Sequence, residues 1–301
     1  MTRFHNALRC SIAVLLLLLG LQSGAEESLS YSFLAVGDTG CGCRAQENIA
    51  ARMWERHKIS PFDAVLMLGD NIYGESYLKK LFFARKSGGH PDLFAGRFNK
   101  YYQPLLDAGI RFFAAIGNHD TETRDGYYEI ADKERFHIQG DLGYYAFSPH
   151  PLVTFFALNS TRFADGKTDS SQVAWLKTAL AEARTPWKII FVHHPMYAPS
   201  GGHRPNSSLR EAVEPVLVEG GVRIVLAGHV HTYARMKAQH GITHFISGGG
   251  GRHLITPHKN EDTIRTVKAH HFLQMQVFEH RIVFHAVSER GFLIDQGTIL
   301  R

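Results

Sequence analysis

Asp38, Asp70, Tyr73, Asn118, His193, His229 and His231 are of the types that bind metal ions, and each lies in a short polar cluster closing an apolar run. The clusters read Gly37-Asp38-Thr39-Gly40, Gly69-Asp70-Asn71-Ile72-Tyr73, Gly117-Asn118-His119-Asp120, Val192-His193-His194-Pro195 and Gly228-His229-Val230-His231. Carboxylate, amide, phenol and imidazole donors in one set suit iron, manganese or zinc, and do not suit the soft metals held by thiolates. Asp70 has two oxygens and can bridge two cations. Tyr73 is the discriminating donor: a phenol with an ordinary pKa near ~10 becomes a ligand only beside a strongly polarising cation such as Fe(III). Taken singly the clusters say little, because Asp after Gly at a strand end is often a turn residue. Together their donor types complement one another and point to a two-metal site.

The elements that must position them are strands. The runs Phe33-Leu34-Ala35-Val36, Ala64-Val65-Leu66-Met67-Leu68, Phe112-Phe113-Ala114-Ala115-Ile116, Lys188-Ile189-Ile190-Phe191 and Val222-Arg223-Ile224-Val225-Leu226-Ala227 have the length and Gly punctuation of buried strands. In α/β sheets ligands gather at the carboxyl ends of strands, so the five clusters should meet on one rim. Apolar residues at helical spacing predict helices over 45–58, from Leu93 to Leu105, from Asp169 to near Pro186, and over 207–218. Strands are predicted over 144–147, 153–158 and 243–246, and alternation over 272–278, 282–287 and 292–300 predicts antiparallel strands near the end. This order of elements predicts an α/β, layered α+β architecture: a β-sandwich of two mixed sheets flanked by helices, forming one domain over residues 29–301.

The chain has 301 residues, 44% of them hydrophobic, enough for a substantial core, and a formal charge of +5; a positive field steers anionic substrates such as phosphate esters, but charge alone reads first as a basic surface with no specific partner. It has no Lys/Arg run of the kind that makes a nucleic-acid-binding arm. Arg3 and Arg9, the apolar segment 12–19 and the small residues Ser23-Gly24-Ala25 have the layout of a secretory signal peptide over 1–25. Its apolar stretch is shorter than the ~20 residues that span a bilayer, so the mature protein is expected to be exported, periplasmic or secreted, without stable membrane insertion. Cys41 and Cys43 are the two cysteines beyond that segment. A bond between them would close a very small ring, and free thiols or an external partner are the alternatives. Asn159-Ser160-Thr161 and Asn206-Ser207-Ser208 are glycosylation sequons. The run Gly248-Gly249-Gly250-Gly251 has no following Lys-Ser/Thr and is not a nucleotide loop; it permits a tight turn.

The five clusters resemble those of the calcineurin-like metallophosphoesterase superfamily. Tyr73, three residues after Asp70, makes the chain most similar to the purple acid phosphatases in their small, tartrate-resistant, single-domain form. The similarity runs from Gly37 to at least Gly251; one departure is Ile190 where that family usually has Val. The resemblance implies that Asp38, Tyr73 and His231 hold Fe(III), that Asn118, His193 and His229 hold a divalent metal, Fe(II), Zn(II) or Mn(II), and that Asp70 bridges them. It also implies that His119 contacts the phosphate or protonates the leaving group, and that His203 is a second outer histidine. His194 stands where the family varies, and reads as a residue outside the ligand set or at the surface.

These residues imply an exported acid phosphatase that hydrolyses small phosphate monoesters by attack of metal-bound hydroxide, with a histidine supplying the leaving-group proton. A phosphodiesterase on the same fold is the competing enzyme, and Tyr73 speaks against its cyclic-nucleotide branch. A non-catalytic exported metal-binding protein is the third reading, and the intact seven-donor set speaks against it.

Overall fold

Each of the five apolar runs forms a strand in the computed structural model, which describes residues 29–73, 94–121 and 133–301. They are β1 (Tyr31–Val36), β2 (Ala64–Met67), β3 (Arg111–Ala114), β6 (Trp187–Val192) and β7 (Ile224–Ala227). The leader reading of residues 1–25, the first residue of the expected helix at Leu93, and all of residues 74–93 lie outside the described residues.

Two mixed sheets face each other. The first has the order β13 (Leu293–Leu300), β12 (Arg281–Ser288), β11 (His271–Val277), β1, β2, β3. The second runs β10 (Thr263–Val267), β8 (Tyr233–Met236), β9 (Thr243–Ser247), β7, β6, β5 (Val153–Ala157), β4 (Tyr145–His150). The flanking helices are α1 (Arg44–Ile59), α2 (Lys100–Asp107, entered through a wide turn over Ala95–Asn99), α3 (Ser170–Glu182) and α4 (Ser207–Glu219). Strands β8 and β10 were not predicted from sequence. Both are short, and β10 is a half-exposed edge strand, so neither carries the apolar run that marks a strand buried on both faces.

The continuous apolar runs are explained by burial on both faces. Along β6, Ile189 and Phe191 point between the sheets, while Ile190 and Val192 point out against Leu176 and Leu180 of α3 and Leu209, Val213 and Leu217 of α4. Between the sheets, Phe33 meets Phe155 edge-to-face at 4.9 Å, and Phe245 meets Phe284 at 4.9 Å. Buried polar tips find partners across the same gap: Tyr145 donates to the carbonyl of Ala114 (3.0 Å), and Trp187 Nε1 donates to that of Phe278 (2.7 Å).

Parallel register then levels the strand ends. Val36 lies beside Met67, and Met67 beside Ala114. In the other sheet, Val192 lies beside Ala227, which lies beside Ile246. The two rims are joined directly, since Gly37 N donates to the Ser247 carbonyl (2.8 Å) and Ser247 Oγ to that of Ala35 (3.0 Å).

His244 on β9 is buried against Tyr197, and its Nε2 has no hydrogen-bond partner among the described residues. Burial pushes its pKa down to about 3 from an ordinary 6.5. The unfolded chain therefore binds an extra proton between these values. Stability from this site is present above about pH 6.5 and is lost as the pH falls toward 3. Urea unfolding should give a wild-type protein that loses roughly 2–3 kcal/mol more than His244→Phe between pH 7 and pH 4.5. Equal losses in the two proteins would mean that this ring is not held neutral by the fold.

Candidate metal centre

The seven sequence-predicted donors converge on the joined rims in two groups. In the first, Tyr73 donates to Asp38 Oδ1 at 3.1 Å and its oxygen lies 3.3 Å from His231 Nε2, which itself is 3.3 Å from Asp38 Oδ1. In the second, His193 Nε2 lies 3.1 Å from Asn118 Oδ1 and 3.2 Å from His229 Nδ1. Asp70 reaches both: its Oδ1 is 3.4 Å from His193 Nε2, and its donor atom lies within 4.8 Å of those of Asp38 and His231. Asp38, Asp70 and His193 are almost fully buried, whereas Asn118, His119 and His229 are partly exposed and mark the mouth.

The backbone is bent to achieve this. Asp38, Asp70 and His229 have φ of 61°, 52° and 66°, in the left-handed region that non-glycine residues seldom enter. Each lies two or three residues past a strand end, and the bend turns its side chain inward; such strain of order 1–3 kcal/mol per residue persists only where the surroundings enforce it. The enforcement is visible: Asp38 Oδ2 accepts from His229 N (2.9 Å), and Asp70 Oδ1 accepts from His119 N (3.0 Å). At Gly69, with φ of 82°, an added Cβ would lie 2.6 Å from His193 Nδ1, so only glycine lets this loop lie flat on the ring.

Two positioning residues went unread in the sequence. Asp120 is buried and accepts from Ile72 N (3.0 Å), Gly117 N (2.8 Å) and Asn71 Nδ2 (3.1 Å), clamping the Asp70–Tyr73 loop to the Asn118 loop. Arg97 donates from Nη1 to the carbonyls of Tyr73 (2.7 Å) and Gly40 (3.0 Å). Asp120 stood in plain view two residues after Asn118, but its own cluster offered a surplus of donors. Arg97 carried no local signal at all.

The fit to metal ions follows from hydrogen-bond accounting. His231 Nδ1 donates to the His253 carbonyl and His193 Nδ1 to the Leu68 carbonyl, both at 2.9 Å. Each ring so fixed presents the bare lone pair of Nε2 to the centre. His193 Nε2 then faces two acceptor oxygens, Asn118 Oδ1 and Asp70 Oδ1, and His231 Nε2 faces Asp38 Oδ1. Buried acceptors facing acceptors are unfavourable without a cation between them. The titration directions carry the same message. Burial, then the charges of Asp38 and Asp70, raise the Tyr73 pKa. Burial also raises that of Asp70, and burial with the neighbouring histidines lowers that of His229. At His231 burial acts downward, but Asp38, the His253 carbonyl and Asp70 together outweigh it and the net shift is upward, toward holding a proton where a cation would sit.

The expected outer histidines also gather here. The His119 ring lies 4.6 Å from that of Tyr73, and the exposed His203 ring lies 4.4 Å from that of His229. His194 is not a surface residue. It packs 4.3 Å from the His229 ring and is bonded at Nδ1 to Ser160 Oγ (2.8 Å), which also accepts from His194 N (3.0 Å). Ser160 belongs to a sequon whose Asn159 is buried, donating to the Leu142 carbonyl and accepting from Thr161, so the fold leaves Asn159 no room for a sugar. Cys41 and Cys43 are bonded to each other, which settles the three alternatives left by the sequence.

Residues 31–233 match the family model described as calcineurin-like phosphoesterase. The chain is similar to the human "Tartrate-resistant acid phosphatase type 5", with 26% identity over 78% of this chain and 77% of that protein. Among solved structures it resembles "GAP50 the anchor in the inner membrane complex of Plasmodium", at TM-score 0.75 and 16% identity, covering 91% of this chain and 89% of the other. It also resembles the purple acid phosphatase PPD1 of yellow lupin seeds, at TM-score 0.73 and 17% identity, covering 92% of this chain and 55% of that one.

Replacing Asp120 by Ala strands two buried N–H groups and an amide, and should lower stability by about 3 kcal/mol in urea unfolding. Metal analysis of the same sample should find less bound metal even in conditions where it stays folded. Full metal retention would mean that the clamp does not position the donors.

Proposed function

The chain belongs to the calcineurin-like phosphoesterase family, and we propose that it is an exported phosphomonoesterase with acid phosphatase activity, working through two metal ions. The observation that carries this reading is the position of the Tyr73 hydroxyl, inside the group formed by Asp38 and His231.

Asp38, Tyr73 and His231 would hold Fe(III), and Asn118, His193 and His229 a divalent ion, Fe(II), Zn(II) or Mn(II), with Asp70 shared. When bound, such a pair polarises phosphoryl oxygens and activates a water for attack on phosphorus. The protein supplies the rest. Asp38 and Asp70 are fixed by backbone N–H donors, so their charges are preorganised rather than recruited. Partly exposed His119, its ring tilted against that of Tyr73, is placed to give a proton to the departing alkoxide. His203, over the His229 ring, faces the same mouth and can donate to a phosphoryl oxygen. Burial of the donor set keeps bulk water from screening these charges.

We read residues 29–301 as one unit of this fold, because one core cluster contains residues from Tyr31 to Val287. We read residues 1–25 as an export leader. No helix of the described residues is long and apolar enough to cross a membrane. A phosphate monoester of small size is the expected substrate class.

Protein recovered from outside the cytoplasm should begin at Glu26 and should hydrolyse p-nitrophenyl phosphate in preference to bis(p-nitrophenyl) phosphate. His119→Ala should lower kcat by roughly 10²- to 10⁴-fold with metal content unchanged. Faster cleavage of the bis-ester would move the reading to a phosphodiesterase, and metal loss in the variant would remove His119 from its proton-donor role.

A further inference from the structure

Arg252, the residue after the glycine run, lies with its guanidinium carbon 4.4 Å from the centroid of the Tyr73 ring. It is partly buried, and its side chain has no hydrogen-bond or ion-pair partner among the described residues. Its backbone is held firmly. Arg252 N donates to the Asp38 carbonyl (3.1 Å), Gly250 N to the Gly37 carbonyl (3.0 Å) and, three residues further on, Ile255 N to the His231 carbonyl (3.0 Å). A Cβ on Gly250 would lie 2.4 Å from the Gly37 oxygen, so the strap lies directly on the Asp38 turn. The Cys43 sulfur rests 3.2 Å from the Gly251 carbonyl oxygen and packs the strap from the helix side.

This placement puts two guanidinium groups near one phenol ring. Arg97, itself pinned to the Tyr73 loop, is a second cation close enough to repel it. A cation held by Asp38, Tyr73 and His231 would add to this repulsion, since like charges a few ångströms apart in a partly buried site interact strongly. Stacking on the phenol ring returns only about 0.5–2 kcal/mol. An anion in the mouth reverses the balance, and a guanidinium fork is the side chain whose geometry matches phosphate oxygens.

Resting on the phosphatase reading above, we propose that Arg252 is a substrate-binding residue that takes a phosphate oxygen of the ester at the mouth of the centre. That oxygen belongs either to the reacting phosphoryl group or to a second phosphate carried by the leaving group. The two sources share one chemistry and differ in which substrates feel the arginine.

The test is calorimetric binding of inorganic phosphate to wild-type protein, Arg252→Gln and Arg252→Lys, with metal content measured on each, followed by KM and kcat for p-nitrophenyl phosphate and for pyrophosphate. Loss of a charge-assisted bond should weaken phosphate binding by roughly ten- to a hundredfold in R252Q, with R252K intermediate. A matching rise in KM for both substrates assigns Arg252 to the reacting group, whereas a rise for pyrophosphate alone, with inorganic phosphate unaffected, assigns it to a second phosphate. Unchanged phosphate affinity and unchanged KM for both substrates in R252Q would overturn the proposal and leave Arg252 as a cover for the Tyr73 ring. Should R252Q lose metal or fail to fold, R252K, which keeps the charge and lacks the fork, decides the same question. A wild-type protein that binds no phosphate would overturn both this inference and the phosphatase reading, so the two failures are distinguishable.

Discussion

Lone pairs facing lone pairs in a dry pocket are the constraint on which the rest of this structure depends. Two backbone carbonyls, those of Leu68 and His253, take the Nδ1 protons of His193 and His231 and leave bare Nε2 atoms aimed at Asn118, Asp70 and Asp38. Such a set is unfavourable on its own and favourable around cations. The raised pKa of buried Asp70 and the net upward shift of His231 express the same deficit of positive charge from the side of the protons. Removing either carbonyl's hold would free a ring to flip its tautomer and dissolve the arrangement.

Holding that arrangement is the task of the fold. Two sheets contribute donors from opposite sides, and neither could build the centre alone: the carboxylates, Tyr73 and Asn118 come from the ends of β1, β2 and β3, and the imidazoles from β6 and β7. Level register within each sheet and the direct bonds between Gly37, Ser247 and Ala35 fix the spacing across the gap. Left-handed φ at Asp38, Asp70 and His229 is then tolerated because the Asp38 carboxylate takes the N–H of His229 and that of Asp70 takes the N–H of His119. Strain at the rim is thus countered by bonds made at the rim, over a rigid aromatic core that does not need to adjust.

Much of this was legible in the sequence, for a physical reason. Strands buried on both faces must be apolar throughout, and ligands at their ends must be polar, so Leu66-Met67-Leu68-Gly69-Asp70 announces both the strand and the donor. The bridging capacity of Asp70 follows from its two oxygens, whereas the split of the donors into two groups was implied only by the family resemblance. What stayed hidden acts at a distance or through the backbone. Strands β8 and β10 are short, and β8 carries a charged Arg235 while β10 is a half-exposed edge, so their residues carry no apolar run. Arg97 acts on carbonyl oxygens of Gly40 and Tyr73 that no side-chain pattern reports. Ser160 looked like part of a sequon, and its bond to His194 spans thirty-four positions. Cys41 and Cys43 left their pairing open because spacing alone fixes neither partner nor geometry.

The most direct measurement is the visible absorption spectrum of purified wild-type protein and of Tyr73→Phe, with metal analysis of both. If Tyr73, Asp38 and His231 hold Fe(III), the wild type carries iron and a second metal, two ions per chain, and shows a tyrosinate-to-iron charge-transfer band that vanishes in the variant. A colourless wild type that holds two zinc or manganese ions, with a spectrum indifferent to Tyr73, would contradict the assignment of Tyr73 as a ligand and with it the acid phosphatase reading.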